Sequence, residues 1–194
     1  MLKARRKKKC KACRGEFRPW SSTQAVCSMG CALDRSKQQA EKRRRREHRA
    51  DKERIKPRNK VMAEAQAAFN AYIRLRDDHL PCISCDVPAP PQRRGGAWDC
   101  GHYLTRGAHP ELRFEESNAQ KQCKRCNGGS GRFSGKDRTV QQDYRKRLIL
   151  RIGLEQVEWI EGPHEPKKYT VDELRAIKAQ YRKRAREMKR AKAK

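Results

Sequence analysis

The sequence is poor in the apolar material from which a large core is built: 35% of its 194 residues are hydrophobic and 6% aromatic, against 38% charged. That is too little to bury most of the chain around one centre, so a second source of stability is required. Long apolar runs are absent, which argues against a membrane span. Acidic residues are scarce as well: 23 Asp and Glu face 50 Lys and Arg, a formal net charge of +27. Such a chain repels itself unless a polyanion neutralises it, and nucleic acid is the default partner. A basic protein lying on a membrane surface is the competing reading, but no Lys/Arg-lined helix with a Leu, Phe and Trp face supports it. Residues 1–9 are charged and lead into cysteines, not an apolar segment, so no signal peptide is expected and a reducing, cytoplasmic setting is.

Nine cysteines supply the missing stability. In a reducing compartment, closely paired cysteines read as thiolate metal ligands and not as disulfides. Cys10 and Cys13 are followed after thirteen residues by Cys27 and Cys31. This spacing predicts a small N-terminal zinc module over residues 1–31, with unliganded cysteines in a disordered tail as the alternative. Cys82 and Cys85 are followed after 37 residues by Cys123 and Cys126, which predicts a second four-thiolate zinc. Four thiolates close the coordination sphere, so this second zinc has no position for water or substrate.

The charge is unevenly placed. Residues 81–130 hold seven basic and five acidic side chains, whereas residues 32–60 hold thirteen and five. Residues 32–60 lack an apolar stripe and read either as an exposed helix or as a disordered basic arm. Arg43, Arg44, Arg45 and Arg46 at its centre are candidate phosphate contacts, as are Arg106, Lys121, Lys124 and Arg125. Apolar residues at helical spacing predict a helix over 61–78, ended by Pro81. Further helices are predicted over 139–153, stopped by Gly153, over 154–161, and from a Thr170–Glu173 capping box onward, packed in its front half and frayed in its tail. The helices at 61–78 and 170–188 are candidate dimerisation faces.

Between the central cysteine pairs lies what a closed zinc lacks. His102 is neutral near pH 7 and can take a proton from water. Asp99 and the amide oxygen of Asn127 are hard ligands suited to Mg2+ or Mn2+. A phosphodiesterase needs these parts: a base to activate water, and a cation to stabilise charge on the phosphate and the departing 3′ oxygen. Asn127 directly follows Cys126, so the zinc clamp would bring sequence-distant ligands together. Asp99 and His102 are three apart and would fall on opposite faces of an ideal strand, so a bulge or kink at Gly101 is expected to turn both toward one metal. Cys100, the ninth cysteine, reads as a small buried strand residue, with a reactive thiol as the lesser possibility.

The order Cys-x2-Cys, Asp99-x2-His102, Cys-x2-Cys-Asn127 resembles phage endonuclease VII, a zinc-containing HNH nuclease. A longer resemblance, over about residues 80–189, is to the lambdoid phage NinG or Rap recombination endonucleases. It rests on Leu80-Pro81-Cys82-Ile83-Ser84-Cys85, Gly101-His102-Tyr103, Leu112-Arg113-Phe114, Lys121-Gln122-Cys123, Cys126-Asn127 and Ala176-Ile177-Lys178-Ala179. What it implies is an α+β fold: a zinc-stabilised, treble-clef-like ββα-metal core over 61–136, flanked by helices, with a C-terminal helical region over 137–194. It further implies structure-selective cutting of Holliday junctions or D-loops in the bacterial host cytoplasm, by a homodimer working beside other phage recombination proteins. His102 then becomes the base, Asp99 and Asn127 the metal ligands, and Asn118 the central Asn that braces the loop between strand and helix. The sequence departs from the expected polar helix start at Gly128-Gly129-Ser130-Gly131. The alternative of a different class is a noncatalytic zinc-dependent nucleic-acid-binding protein, which needs no Asp99, His102 and Asn127 together.

Overall fold

A computed structural model describes residues 6–92, 96–128 and 137–193, with 137–139 described by backbone alone. The chain divides into two compact units, Met1–Lys56 and Pro57–Lys194.

In the first unit, β1 (Lys8–Lys9) pairs antiparallel with β2 (Glu16–Phe17), and the Cys10 to Cys13 turn lies between them. A 26-residue helix follows, α1 (Met29–Arg54). Ser28 caps it, its hydroxyl accepting from the Cys31 amide at 3.2 Å. None of its residues is buried. With no packed face, α1 depends on good helix formers, on its cap and on i,i+4 ion pairs such as Arg43–Glu47 (3.7 Å) and Arg45–Glu41 (2.5 Å). Of the two readings of the basic arm, the helix is the one observed, and it begins inside the stretch assigned from sequence to the zinc module.

The second unit is organised by two long helices, α2 (Arg58–Arg76) and the last helix of the chain, α6 (Val171–Lys192). Val61, Ala65, Phe69 and Ile73 are buried against Leu174 and Tyr181, with Ile177, Ala185 and Met188 packed beside them. Both helices therefore spend their apolar faces on each other. This corrects the expectation that either face pairs with a second copy. The tail expectation is corrected too, because α6 stays helical to Lys192, whose ammonium meets Asp78 at 2.7 Å. The capping box forms as expected, with the Thr170 hydroxyl accepting from the Glu173 amide. Glu116 joins the pair of helices to the loop before the strand Ala119–Cys123, accepting from Tyr72 at 3.1 Å, Tyr181 at 3.2 Å and the Arg184 guanidinium.

Between these helices in sequence lie β3 (Trp98–His102), β4 (Ala119–Cys123), α3 (Lys124–Gly128), α4 (Asp137–Ile152) and α5 (Leu154–Glu161). A second apolar cluster joins Ile83, Tyr103 and Leu112 to Tyr144, Leu148, Val157 and Ile160 of α4 and α5. Gly153, with φ 85°, supplies the left-handed backbone that stops α4 and starts α5. Because α6 packs on α2, and α4 reaches β3 through a Tyr144 hydroxyl to Gly101 carbonyl bond of 3.0 Å, the C-terminal helices form one unit with the central segment.

β3 and β4 pair antiparallel without interruption, Trp98 opposite Cys123, Asp99 opposite Gln122, Gly101 opposite Gln120 and His102 opposite Ala119. The expected bulge at Gly101 is therefore absent. The glycine serves packing instead: a β-carbon there would lie 2.9 Å from Gln122 Cδ and 3.0 Å from its Cβ. Gln122 uses that room to donate to the Ser84 hydroxyl at 2.7 Å, which ties the strands to the turn between Cys82 and Cys85.

Candidate functional site

The cysteines form two sets of four, Cys10, Cys13, Cys27 and Cys31, and Cys82, Cys85, Cys123 and Cys126, each with all sulfurs within 4.8 Å of one another. Separations of 3.7 Å for Cys13 to Cys27, 3.5 Å for Cys27 to Cys31 and 3.8 Å for Cys85 to Cys123 are far longer than a disulfide bond. They fit the edge of a tetrahedron around zinc, about 3.8 Å for bonds of about 2.3 Å. The two sets also share one turn. Arg14 directly follows Cys13 with φ 64°, and Asp86 directly follows Cys85 with φ 59°. Their amides bond back to the Cys10 and Cys82 carbonyls at 3.0 and 2.9 Å. In each set the remaining pair stands at a helix start: Cys27 before α1 and Cys31 in its first turn, Cys123 ending β4 and Cys126 in α3. Burial would push the Cys82 thiol up, but amide bonds from Cys123, Cys85 and Ser84 outweigh it and bring it down, the direction a metal-binding thiolate needs. Both sets can hold zinc, and in the second Cys82, Cys123 and Cys126 are buried with Trp98 and Val140 packed against them, while Cys85 is exposed.

Cys126 of the central cysteine set lies in α3, with Asn127 directly after it. Asn127 Nδ2 donates to Asp99 Oδ2 at 3.1 Å. Asn127 also lines an open cavity of about 420 Å3 with Cys100, His102, Thr105, Arg106 and Arg113. Asp99 borders a different cleft, which it lines together with Trp98, Lys121 and residues of α2. Among the described residues no hydrogen bond joins Asp99 to His102. Asn127 stands between them, and this amide bridge, not a bulge, links the two openings.

His102 packs its ring against Phe69, centroids 5.9 Å apart, and its Nε2 lies 3.1 Å from the Arg113 carbonyl oxygen. A carbonyl only accepts, so Nε2 carries the proton and Nδ1 is left as the ring's base. Burial, with the nearby charges of Arg106 and Arg113, pushes the His102 pKa down to about 4, against the upward pull of its bond to Arg113. The imidazole is accordingly neutral at physiological pH. Cys100 beside it is pushed up to about 12 by burial, so it is a neutral packing residue, as expected, and not a nucleophile.

Asn118 is fully buried, its oxygen accepting from the Leu104 amide at 2.8 Å and its Nδ2 donating to the carbonyls of Leu104 (3.1 Å) and Leu112 (3.2 Å). It braces the loop between β3 and β4, not one between strand and helix, and has no hand free for a substrate. Lys121 is 3% exposed, its ammonium bonded to the Asp78 carbonyl at 2.9 Å and 4.0 Å from the centre of the Trp98 ring. That burial corrects its assignment as a phosphate contact. Arg43, Arg44, Arg45 and Arg46 are exposed on α1, Arg125 is exposed and Lys124 half-buried on α3, and Arg106 lines the His102 cavity. Of the departure after Asn127, Gly128 ends α3, and residues 129–131 lie outside the described residues.

Sequence reasoning missed Arg113, whose contribution is a main-chain carbonyl that no side-chain pattern advertises. It read Phe69 only as core, because helical spacing cannot tell a core aromatic from one that also backs a histidine.

A family model described as the bacteriophage Lambda NinG protein matches residues 2–192. The chain is similar to Protein ninG of Escherichia phage lambda, 39% identical over 96% of this chain and 94% of that protein. It is likewise similar to Protein ninG of Escherichia phage 933W, 39% identical with 94% of each chain covered, and of Salmonella phage P22, 38% identical with 96% and 95% covered. No solved structure matches.

Proposed function

The chain belongs to the bacteriophage Lambda NinG protein family, and we propose that it is a metal-dependent endonuclease cutting branched DNA, Holliday junctions and D-loops, by phosphodiester hydrolysis. The observation that carries this reading is the linked set His102, Asn127 and Asp99: a neutral imidazole with one nitrogen pinned, sharing a cavity with an amide that is bonded to a carboxylate. Knuckle, antiparallel strand pair and short helix follow in the order of a ββα-metal core, which supports the same reading.

The donors suit a hard divalent cation, since the Asp99 carboxylate and the Asn127 amide oxygen are the ligand types Mg2+ and Mn2+ prefer. A cation held by them would supply charge neutralisation at the phosphate and at the departing 3′ oxygen. His102 Nδ1 takes the proton of the attacking water while the Arg113 carbonyl fixes the ring. Arg106, at the same cavity, meets phosphate charge. Asn118 acts at a distance by holding the loop that carries Arg106 and Arg113. Resolving a junction takes a nick in each of two strands, so a homodimer with two sites suits this activity.

The test is incubation of the purified protein with a four-way junction and with linear duplex, with and without Mg2+. Paired nicks in the junction, dependent on Mg2+ or Mn2+, are expected. Junction binding with no cutting under either metal would leave a noncatalytic zinc-dependent nucleic-acid binder.

A further inference from the structure

A second opening is a cleft of about 520 Å3, lined among others by Arg74, Asp78, Trp98, Asp99, Lys121 and Lys189. Its volume is within the range of ligand pockets, about 300 to 1,000 Å3. Most of its charge is already spent. The Asp78 carboxylate is held by Lys192 at 2.7 Å, and the Lys121 ammonium by the Asp78 carbonyl at 2.9 Å. Arg74, near the end of α2, and Lys189, near the end of α6, make no hydrogen bond or ion pair among the described residues. Two helices packed along their length thus bring two uncommitted cations to the rim of a cleft that also holds a proposed metal ligand.

The aromatic wall narrows what the cleft can take. Trp98 has Lys121 Nζ over its ring and packs against the cluster of Cys82, Cys123 and Cys126, so it is not offered for stacking a nucleobase. What remains is recognition of negative charge by Arg and Lys, which suits a phosphodiester backbone and carries no base preference.

We propose that this cleft binds the DNA backbone next to the scissile phosphodiester, with Arg74 and Lys189 contacting its phosphates. The inference rests on the nuclease reading above for the word scissile, and on the cleft alone for phosphate binding. It gives the cut strand a path from the His102 cavity to the cation pair, the two openings being joined by the bond between Asn127 and Asp99.

The test is binding of a fluorescent four-way junction in EDTA over a range of NaCl concentrations, for the wild-type protein, Arg74→Gln, Lys189→Gln and the double variant. Each phosphate contact contributes about 0.9 to the slope of log K against log salt. Each single variant should lower the slope by about 1 and the double by about 2, with unchanged circular dichroism. Lys168→Gln, an exposed cation away from the cleft, should leave it unchanged. A double variant with the wild-type slope, or a Lys168→Gln loss equal to that of the singles, overturns the proposal. Should Arg74→Gln fail to fold, Lys189→Glu at an exposed position carries the same test, with a loss of at least about 1 expected. Wild-type nicking in Mg2+ is scored separately. Slope loss without any nicking removes the nuclease reading and keeps the cleft; nicking without slope loss does the reverse.

Discussion

Gln122 occupies the space a β-carbon on Gly101 would need, and from there its amide donates to the Ser84 hydroxyl between two zinc-ligand candidates. Gly101→Ala therefore forces the strand pair apart or displaces Gln122, a cost of about 1 to 3 kcal/mol by the usual scale of overpacking. Pairing it with Gln122→Ala should recover part of that cost, with a coupling of about 0.5 to 3 kcal/mol in denaturant unfolding. Strictly additive losses would show that the two side chains do not compete for one space.

The two cysteine sets should differ in what their loss does. Cys82, Cys123 and Cys126 are buried in the second unit, whereas Cys10 is the one buried ligand candidate of the first. Elemental analysis should find about two zinc ions per chain, by one ion per four-thiolate set. Cys123→Ser should lose one zinc together with the cooperative melting of the second unit. Cys27→Ser should lose one zinc and leave that melting, and cutting at saturating DNA, in place. Equal damage from both variants would mean that folding of the two units is coupled.

His102→Ala removes the ring whose Nε2 is fixed by Arg113 and whose Nδ1 is the proposed base. Junction binding should be retained and cutting reduced about 100-fold or more, the scale for a lost general base. Undiminished cutting by the variant takes His102 out of the mechanism.

Much of this layout is legible in the sequence, and the reasons are local. Cysteine spacing marks both metal sets, because a knuckle needs its two thiolates within one turn. Apolar periodicity marks α2, α4 and α6, and the Thr170–Glu173 pair marks where α6 begins. What stayed hidden depends on pairing across the chain. The uninterrupted register of β3 with β4 makes Gly101 a packing glycine, and only the partner strand reveals it. The docking of α2 on α6 turned two candidate dimer faces into one internal interface, since an amphipathic stripe says that it will be covered and not by what. Lys121 looked like a surface cation in a basic run, but its place in a strand with α2 packed against it buries it.

Arg44 sits on α1, where no side chain is buried and the cap is tied to Cys31. Arg44→Ala should weaken binding to junction and duplex alike and lower the salt slope by about 1, through the release of one fewer counterion. Helicity should barely change, because the helix has no packed face to lose. A slope identical to wild type would place α1 away from phosphates.

Acid should act on stability through His102, and the sign follows from its burial. Its pKa is about 4 in the folded protein, against an ordinary 6.5, so between those values the unfolded chain holds a proton that the folded one does not. Stability then rises with pH across the window: the contribution is fully present above about pH 6.5 and is lost progressively as pH falls toward 4. A gap of this size corresponds to about 3 kcal/mol, at roughly 1.36 kcal/mol for each pH unit. Acid also strips zinc from thiolates, so the informative quantity is the difference between wild type and His102→Gln, in which zinc loss is common to both. Denaturant midpoints at pH 7.5, 6, 5 and 4.5 should show the wild type losing stability faster than His102→Gln by about 2 to 3 kcal/mol in all. If the two lose stability in parallel, the histidine is not held neutral by its surroundings, and the case for Nδ1 as a standing base at low pH goes with it.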